Sequence, residues 1–398
     1  MKSSIPKGYK QTMKELGLKR NPFPIEAPNS VDHWADFKKL FDKLLEVHLQ
    51  ALLNPSPRIY VYWGHLGTGK THACRYFCNV KTQKKLVESV QKRGSIGKVK
   101  CVSAAAQIPG KTGQLVYHVY LQILSRLLDE MTKEDFKDLS NITGDAGPSC
   151  VMALNSLARG ITEQTQLSGP FFGLMKNTEE YRFLTLGRTR KYGTLETTSD
   201  LSLVIERILK AILRSYRVFI WVDELEDLRE SNLVERRLFS DFIRSVYDEI
   251  DYGLTIILNF SCDTFDEVER LLLPAVWSRI RKEDTQEGVI EFQLLKDDGD
   301  LREYLLSSLR FGRGADPSEI IEKEAAESIL ETMKREGGKN GISPRDFNRR
   351  MQELLCRSYY FWKKEGKGEF KITKASIEQP EKRQEMLEEL REKLLGGN

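Results

Sequence analysis

The stretch Gly64-His65-Leu66-Gly67-Thr68-Gly69-Lys70-Thr71 constrains this chain more than any other. It reads G-x-x-x-x-G-K-T and lies between an apolar run, Ile59 to Trp63, and a helical pattern that opens at about Lys70. A strand, a glycine-rich loop and a helix in that order separate a phosphate-binding loop from an incidental turn. Glycines let the backbone curl until several N–H groups converge on one anion. The helix N-terminus adds partial positive charge. In such a loop Lys70 reaches the β- and γ-phosphates, and Thr71 offers its hydroxyl to Mg²⁺. The span from Gly64 through His65 and Leu66 to His72 is therefore expected to surround the phosphates of ATP.

A second apolar run, Val218-Phe-Ile-Trp-Val222, ends in Asp223 and Glu224. Carboxylates at the edge of a buried strand are costly to desolvate unless they have work there. With a phosphate loop upstream, Asp223 is expected to hold Mg²⁺ through water and Glu224 to polarise the attacking water. The second acid separates a hydrolase from a phosphate-transferring kinase, which needs no activated water. Glu226 and Asp227 read as the acidic start of the next helix.

Apolar runs at 59–63, 99–102, 218–222, 254–258 and 289–292 alternate with helical patterns at Leu115–Leu128, Leu201–Arg214 and Asn232–Ile250. Strands apolar on both faces and separated by helices imply a parallel sheet covered on both sides. The expected fold is α/β, a three-layer P-loop NTPase with a five-stranded parallel sheet followed by a small α-helical lid. The expected divisions are a basic N-terminal segment and helix at 1–57, a nucleotide-binding core at 58–295, a helical lid at 296–360 and a charged tail at 361–398. Residues 132–199, rich in Gly, Ser and Thr and without a strong period, read as an insertion or long loop inside the core. A final charged helix is expected at Glu381–Leu395.

Composition narrows the class further. With 40% hydrophobic and 30% charged residues the chain can bury a core. No run approaches the roughly 20 apolar residues of a membrane span. The first residues carry no signal-peptide apolar region, so a cytoplasmic location is expected. Six scattered cysteines without a CxxC pair argue against a disulfide scaffold and a structural zinc site. Cys74 and Cys78, four apart on one helix, read as core residues.

The loop form Gly-x-x-Gly-Thr-Gly-Lys-Thr, with a distant strand ending Asp-Glu, resembles the AAA+ ATPases. It resembles most the branch of origin-recognition ATPases, helicase loaders and transposition-target regulators. The Asn21-Pro22-Phe23 box is similar to the segment that lies over adenine in several of them, which implies nucleotide contact by Asn21 and Phe23. The resemblance implies that Asn259, at the end of 254–258, is the sensor 1 residue that orients the attacking water, with Ser261 the alternative. It implies that Arg279 is an arginine finger for a neighbouring subunit, with Arg281 competing for the role. It makes Arg345 a sensor 2 residue, with Ser343 capping its helix and Pro344 at the first position. An origin initiator usually carries a winged-helix domain after the lid, and Phe361 to Asn398 is too short for one by about half. That favours a transposition-regulator or defence-type ATPase.

The net charge of +4 favours no partner, but its distribution is uneven. Basic residues concentrate before Pro24, at Lys81, Lys84, Lys85, Lys92, Arg93, Lys98 and Lys100, and again at Arg182, Arg188, Arg190 and Lys191 among Tyr181, Phe183 and Tyr192. Cations with aromatics can grip a phosphate backbone and stack on bases. The expected protein is a Mg²⁺-dependent ATPase that self-associates with ATP, acts on DNA and meets a protein partner, with no membrane. The rival is an ATP-dependent protein-interaction switch that binds no nucleic acid.

Overall fold

Branched and aromatic runs fully covered on both faces pair as neighbours in a parallel sheet. The computed structural model describes residues 7–27, 31, 34, 38–92, 99–108, 114–144, 147–163, 177–195, 197–280, 288–314, 316–365 and 368–377. These fall into two units, one built on a sheet from Lys39 to Gln293 and one helical, made of the N-terminal residues and the chain from Leu294 onward. In chain order α1 (Lys7–Glu15) belongs to the helical unit. The sheet unit then runs α2 (Lys38–Leu53), β1 (Arg58–Gly64), α3 (Lys70–Phe77), α4 (Val80–Gln91), β2 (Lys100–Gln107) and α5 (Leu115–Glu130). It continues with α6 (Lys133–Thr143), α7 (Ser149–Glu163), α8 (Glu179–Leu186), β3 (Arg188–Thr189), β4 (Gly193–Thr194) and α9 (Thr198–Ile212). It ends with β5 (Tyr216–Asp223), α10 (Leu233–Asp248), β6 (Leu254–Ser261), α11 (Phe265–Leu271), α12 (Pro274–Ile280) and β7 (Val289–Glu291).

The five-stranded sheet has the order β2-β5-β6-β1-β7, and every neighbouring pair is parallel. One strand, β6, therefore lies between the strand that feeds the phosphate loop and the strand that ends in the acidic pair. On one face Val61, Ile220, Ile256 and Leu258 join a core with Val119, Ile123 and Leu124 of α5. On the other, His48 of α2 stacks on Phe77 at 3.9 Å between centroids, with Phe219 and Trp221 close by. Burial in that stack pushes the His48 imidazole down to about 4, so it stays neutral.

Two expectations are corrected. The second strand runs to Gln107, not Val102, because its second half, Ser103-Ala-Ala-Ala-Gln107, pairs residue for residue with Phe219 to Asp223 although alanine carries little strand signal. Within 132–199 the described residues form α6, α7 and α8, which bury Phe136, Leu139, Leu154, Leu157 and Phe183 in the main core, so the stretch is not one long loop. Several of its Thr and Gly residues mark helix ends. Thr132 and Asp135 form a capping box, Thr178 caps α8, Gly187 ends it in the left-handed conformation, and Thr197 and Asp200 box the start of α9.

The helical unit holds α13 (Asp298–Arg313), α14 (Lys323–Gly337), α15 (Pro344–Glu365) and α16 (Lys374–Ile377) beside α1. α1 packs on α15. Ser343 caps α15 by accepting from the Asp346 N–H at 3.1 Å, with Pro344 in the first turn. Residues 370–377 join this unit, because Phe370, Ile372 and Ile377 are buried in its core and the Ile372 N–H donates to Ile320 O at 2.9 Å. The helix expected at 381–395 lies outside the described residues, as do Arg281, Arg93 and Lys98. Among the described residues no helix is long and apolar enough to cross a membrane.

Candidate nucleotide-binding site

The loop between β1 and α3 needs its glycines at two points. A Cβ on Gly64 would come within 2.3 Å of the Phe292 carbonyl oxygen, so β1 and the chain after β7 approach this closely only over glycine. Gly69 caps α3 at φ 102°, in the region that glycine occupies without strain. The curl that results carries Lys70 inward. Its side chain is buried, and Nζ donates to Gly64 O and His65 O, both at 2.9 Å, and to Thr68 Oγ1 at 3.2 Å. A buried ammonium requires such acceptors. They occupy the donors that an anionic phosphate would take over.

Asp223 ends β5, 6% exposed, and its Oδ1 accepts from Asn259 Nδ2 at 3.1 Å. Asn259 is fully buried on β6, and its Oδ1 has no partner among the described residues. An orphaned buried acceptor is costly, and a water or hydrated ion beside Asp223 would satisfy it. Ser261, two residues on, is tied differently, its N–H donating to Glu226 Oε2 at 3.0 Å. Of the two sensor candidates, Asn259 is the one joined to the acidic pair. Glu226 and Asp227 lie in the first turn of a 3-10 helix, Leu225–Arg229.

Glu224 is the only non-glycine with positive φ among the described residues, at φ 63°. A left-handed conformation costs a residue with a Cβ roughly 1–2 kcal/mol. It turns the chain off β5 and sets the side chain at the strand's end. Burial raises the Glu224 carboxyl above its ordinary range, and Asp223, Glu226 and Asp227 push the same way, against a hydrogen bond from the Gln107 side chain. A raised carboxyl is a stronger base when ionised.

The donor set suits magnesium. Thr71 and Asp223 offer hard oxygens, and such a cation is usually held by one or two protein oxygens together with substrate phosphates and water. Among the described residues no group of three or more His, Cys, Asp or Glu side chains is placed to hold a metal on its own. Cys74 is buried and no described cysteine is in a disulfide.

His65 Nδ1 lies 2.9 Å from Asp263 Oδ1, Leu66 is 63% exposed and His72 is half-buried. Arg279 is clamped by Asp248, with Nε on Oδ1 and Nη2 on Oδ2, both at 2.6 Å. Asn21, Phe23 and Arg345 belong to the helical unit. There Asn21 Oδ1 accepts from the Tyr9 hydroxyl and the Phe23 N–H, and the Phe23 ring packs on Phe347 with centroids 6.3 Å apart. Arg345 is half-buried in the first turn of α15. Sequence reasoning missed Gln107. It is the register partner of Asp223, and an alanine-rich strand hid it.

No protein-family model and no curated relative matches the chain. Solved structures similar to it include three of origin-recognition proteins. The ORC2 protein of Aeropyrum pernix, solved as ADPNP-ADP complexes, is 12% identical, with a TM-score of 0.49 over 90% of this chain and 70% of that one. The ORC1 protein of Aeropyrum pernix, in complex with DNA, is 14% identical, with a TM-score of 0.45 over 94% and 70% of the two chains. Drosophila ORC bound to DNA is 14% identical, with a TM-score of 0.44 over 95% and 68%. The chemistry of the site rests on its own residues.

Proposed function

We propose that this protein binds ATP with Mg²⁺, hydrolyses it, assembles with further copies of itself and acts on DNA. The observation that carries the catalytic reading is the buried Asn259–Asp223 hydrogen bond with its orphaned acceptor, beside a left-handed Glu224 and one strand away from the phosphate loop.

In this reading the backbone N–H groups from Gly67 to Thr71 cradle the phosphates. Lys70 exchanges its loop acceptors for β- and γ-phosphate oxygens. Thr71 and Asp223 would hold the magnesium, which supplies neutralisation of phosphate charge when bound. Glu224 takes a proton from the attacking water while Asn259 orients that water, and the attack is in line with the leaving β-phosphate oxygen. Phe23, expected over the base, is wholly buried against Phe347 in the helical unit. Arg279 serves the site of a neighbouring subunit, where a guanidinium stabilises charge on the transferring group. To reach it, Arg279 must leave Asp248.

Assembly and catalysis are tested together by mixing two inactive variants. Lys70→Ala subunits lack the nucleotide, and Arg279→Ala subunits lack the trans-acting cation. Mixed, they should regain part of the phosphate release of the parent protein and elute as a larger species with ATP than with ADP. No rescue and one elution volume would contradict the assembly reading.

The DNA reading is supported by exposed cations at Lys81, Lys84, Lys85 and Lys92 around α4 and at Arg182, Arg188 and Arg190 around the β3–β4 hairpin. The aromatics beside the second group do not contribute, since Tyr181, Phe183 and Tyr192 are buried and Lys191 is paired with Glu180 at 2.8 Å. These cations therefore act by charge alone. A second reading, a nucleotide-controlled switch for a protein partner, is favoured by Leu233, Val234 and Leu238. They are 57, 63 and 41% exposed at the start of α10, just after the turn that Glu224 begins. DNA affinity separates the two, because it should fall steeply as salt rises.

A further inference from the structure

Cations flank a run of rings in the second half of α15, at Arg357-Ser-Tyr-Tyr-Phe-Trp-Lys-Lys364, which holds three cations, four aromatics and no acid. The helix sorts these side chains by face. Leu354, Leu355, Ser358 and Tyr359 are turned into the core of the helical unit, none more than 6% exposed. Arg357, Tyr360, Phe361 and Lys364 follow at i, i+3, i+4 and i+7, the outward stripe. Tyr360 is 59% exposed, Lys363 and Lys364 are exposed, and Arg357 and Phe361 are half-buried. The stripe has a firm base, because Tyr359 lies 5.7 Å from the Tyr360 ring and packs in turn on Trp362 and Phe370.

The two halves of α15 use their cations differently. In the first, Arg349 is paired with Asp346, and Arg350 with Glu336 and Glu353. In the second, the one carboxylate of the sequence is Glu365, directly after Lys364 at the helix end. α1 lies along that second half, with the Thr12 hydroxyl against the Cys356 thiol, and shows Lys10 and Lys14 to solvent.

Cations in a last turn complement the helix dipole. That accounts for Lys363 and Lys364 and leaves Arg357 and the outward rings without a role. A ring with a cation one helical turn to either side, along roughly 10 Å of helix, matches an unpaired base stacked between two backbone phosphates. Duplex DNA offers no free base face to such a ring.

We propose that this stripe binds single-stranded DNA, with Tyr360 stacking on a base and Arg357 and Lys364 on the flanking phosphates. The inference rests on the DNA reading above and gives it a surface and a strand preference. It is tested on the full chain by fluorescence anisotropy with an oligothymidine and with a duplex of equal length across a salt series. Tyr360→Ala should weaken single-strand binding by about tenfold and change duplex binding by less than twofold. Tyr360→Phe, which keeps the ring, should bind the single strand as the parent does. The double variant Arg357→Glu, Lys364→Glu should flatten the salt dependence of single-strand binding by about 0.7 per lost phosphate contact. All three variants should keep the parent's melting temperature and basal ATP turnover. A parent that binds neither DNA would overturn the DNA reading and this surface with it. A parent that binds the oligothymidine equally well as Tyr360→Ala would overturn this surface alone. Loss on charge reversal but not on ring removal would mark a non-stacking polyanion, such as an acidic protein segment, and would also overturn it.

Discussion

Charge marks two regions of the sheet unit, and the fold treats them in opposite ways. At the carboxyl edge of the sheet Lys70, Asp223 and Asn259 are nearly or wholly buried and engaged with one another's loops and strands. Around the β3–β4 hairpin Arg182, Arg188 and Arg190 are exposed. A buried ion costs several kcal/mol unless it is partnered, whereas a surface ion costs almost nothing. A charge at the edge therefore says much about chemistry, and a charge at the hairpin says little. The same substitution should have effects orders of magnitude apart in the two places.

The largest effect is expected at Lys70. Lys70→Ala should weaken ATP binding by at least about a hundredfold, the cost of removing one partner from a buried charge interaction, as read by calorimetry. Parent-like affinity would remove the phosphate loop from the site. Next, Asn259→Ala should lower kcat by about a hundredfold with little change in ATP affinity. A loss confined to affinity would make Asn259 a binding residue, not one that acts in the transition state.

Glu224 sharpens the contrast through pH. Its carboxyl is raised by burial, so the charged form is disfavoured in the folded protein. The sign follows from linkage: a raised folded-state value favours folding at acidic pH, below the ordinary carboxylate range, and that contribution is lost as pH rises through the raised value. Glu224→Gln should accordingly raise the melting temperature at pH 7 relative to the parent, and the gain should shrink toward pH 4. A gain independent of pH would contradict the burial cost assigned to the ionised carboxylate. The smallest effect is expected at the hairpin and α4. Reversing Lys84, Lys85, Arg188 and Arg190 should lower DNA affinity several-fold at low salt, with the difference fading as salt screens it. A loss that persists at high salt would give these residues specific contacts.

Much of the edge was legible in the sequence because its signals are local. Gly64 to Thr71 must be contiguous to curl around one anion, and Asp223-Glu224 must follow the strand directly. Asn259 drew its reading from the resemblance, and the strand that carries it runs on to Ser261. What the sequence hid depends on contacts across the chain. Gln107 reaches the acidic pair only through strand register, and an alanine-rich strand gave no sign of its length. The helices of 132–199 were obscured because their caps are threonines and glycines, residue types read as loop. Tyr181, Phe183 and Tyr192 looked like base-stacking rings until the fold buried them, while Tyr360, the ring left outside, lay in a helix read only as part of a lid. Arg279 drew its meaning from a resemblance, and its pairing with Asp248 joins residues far apart in sequence.

The central claim is that the carboxyl edge of this sheet hydrolyses ATP with Glu224 as the base. Single-turnover phosphate release by Glu224→Gln, beside its ATP affinity in the presence of Mg²⁺, tests it most directly. Affinity within a few-fold of the parent with release slowed by at least about a hundredfold is the predicted result. Parent-like release in that variant would contradict the account.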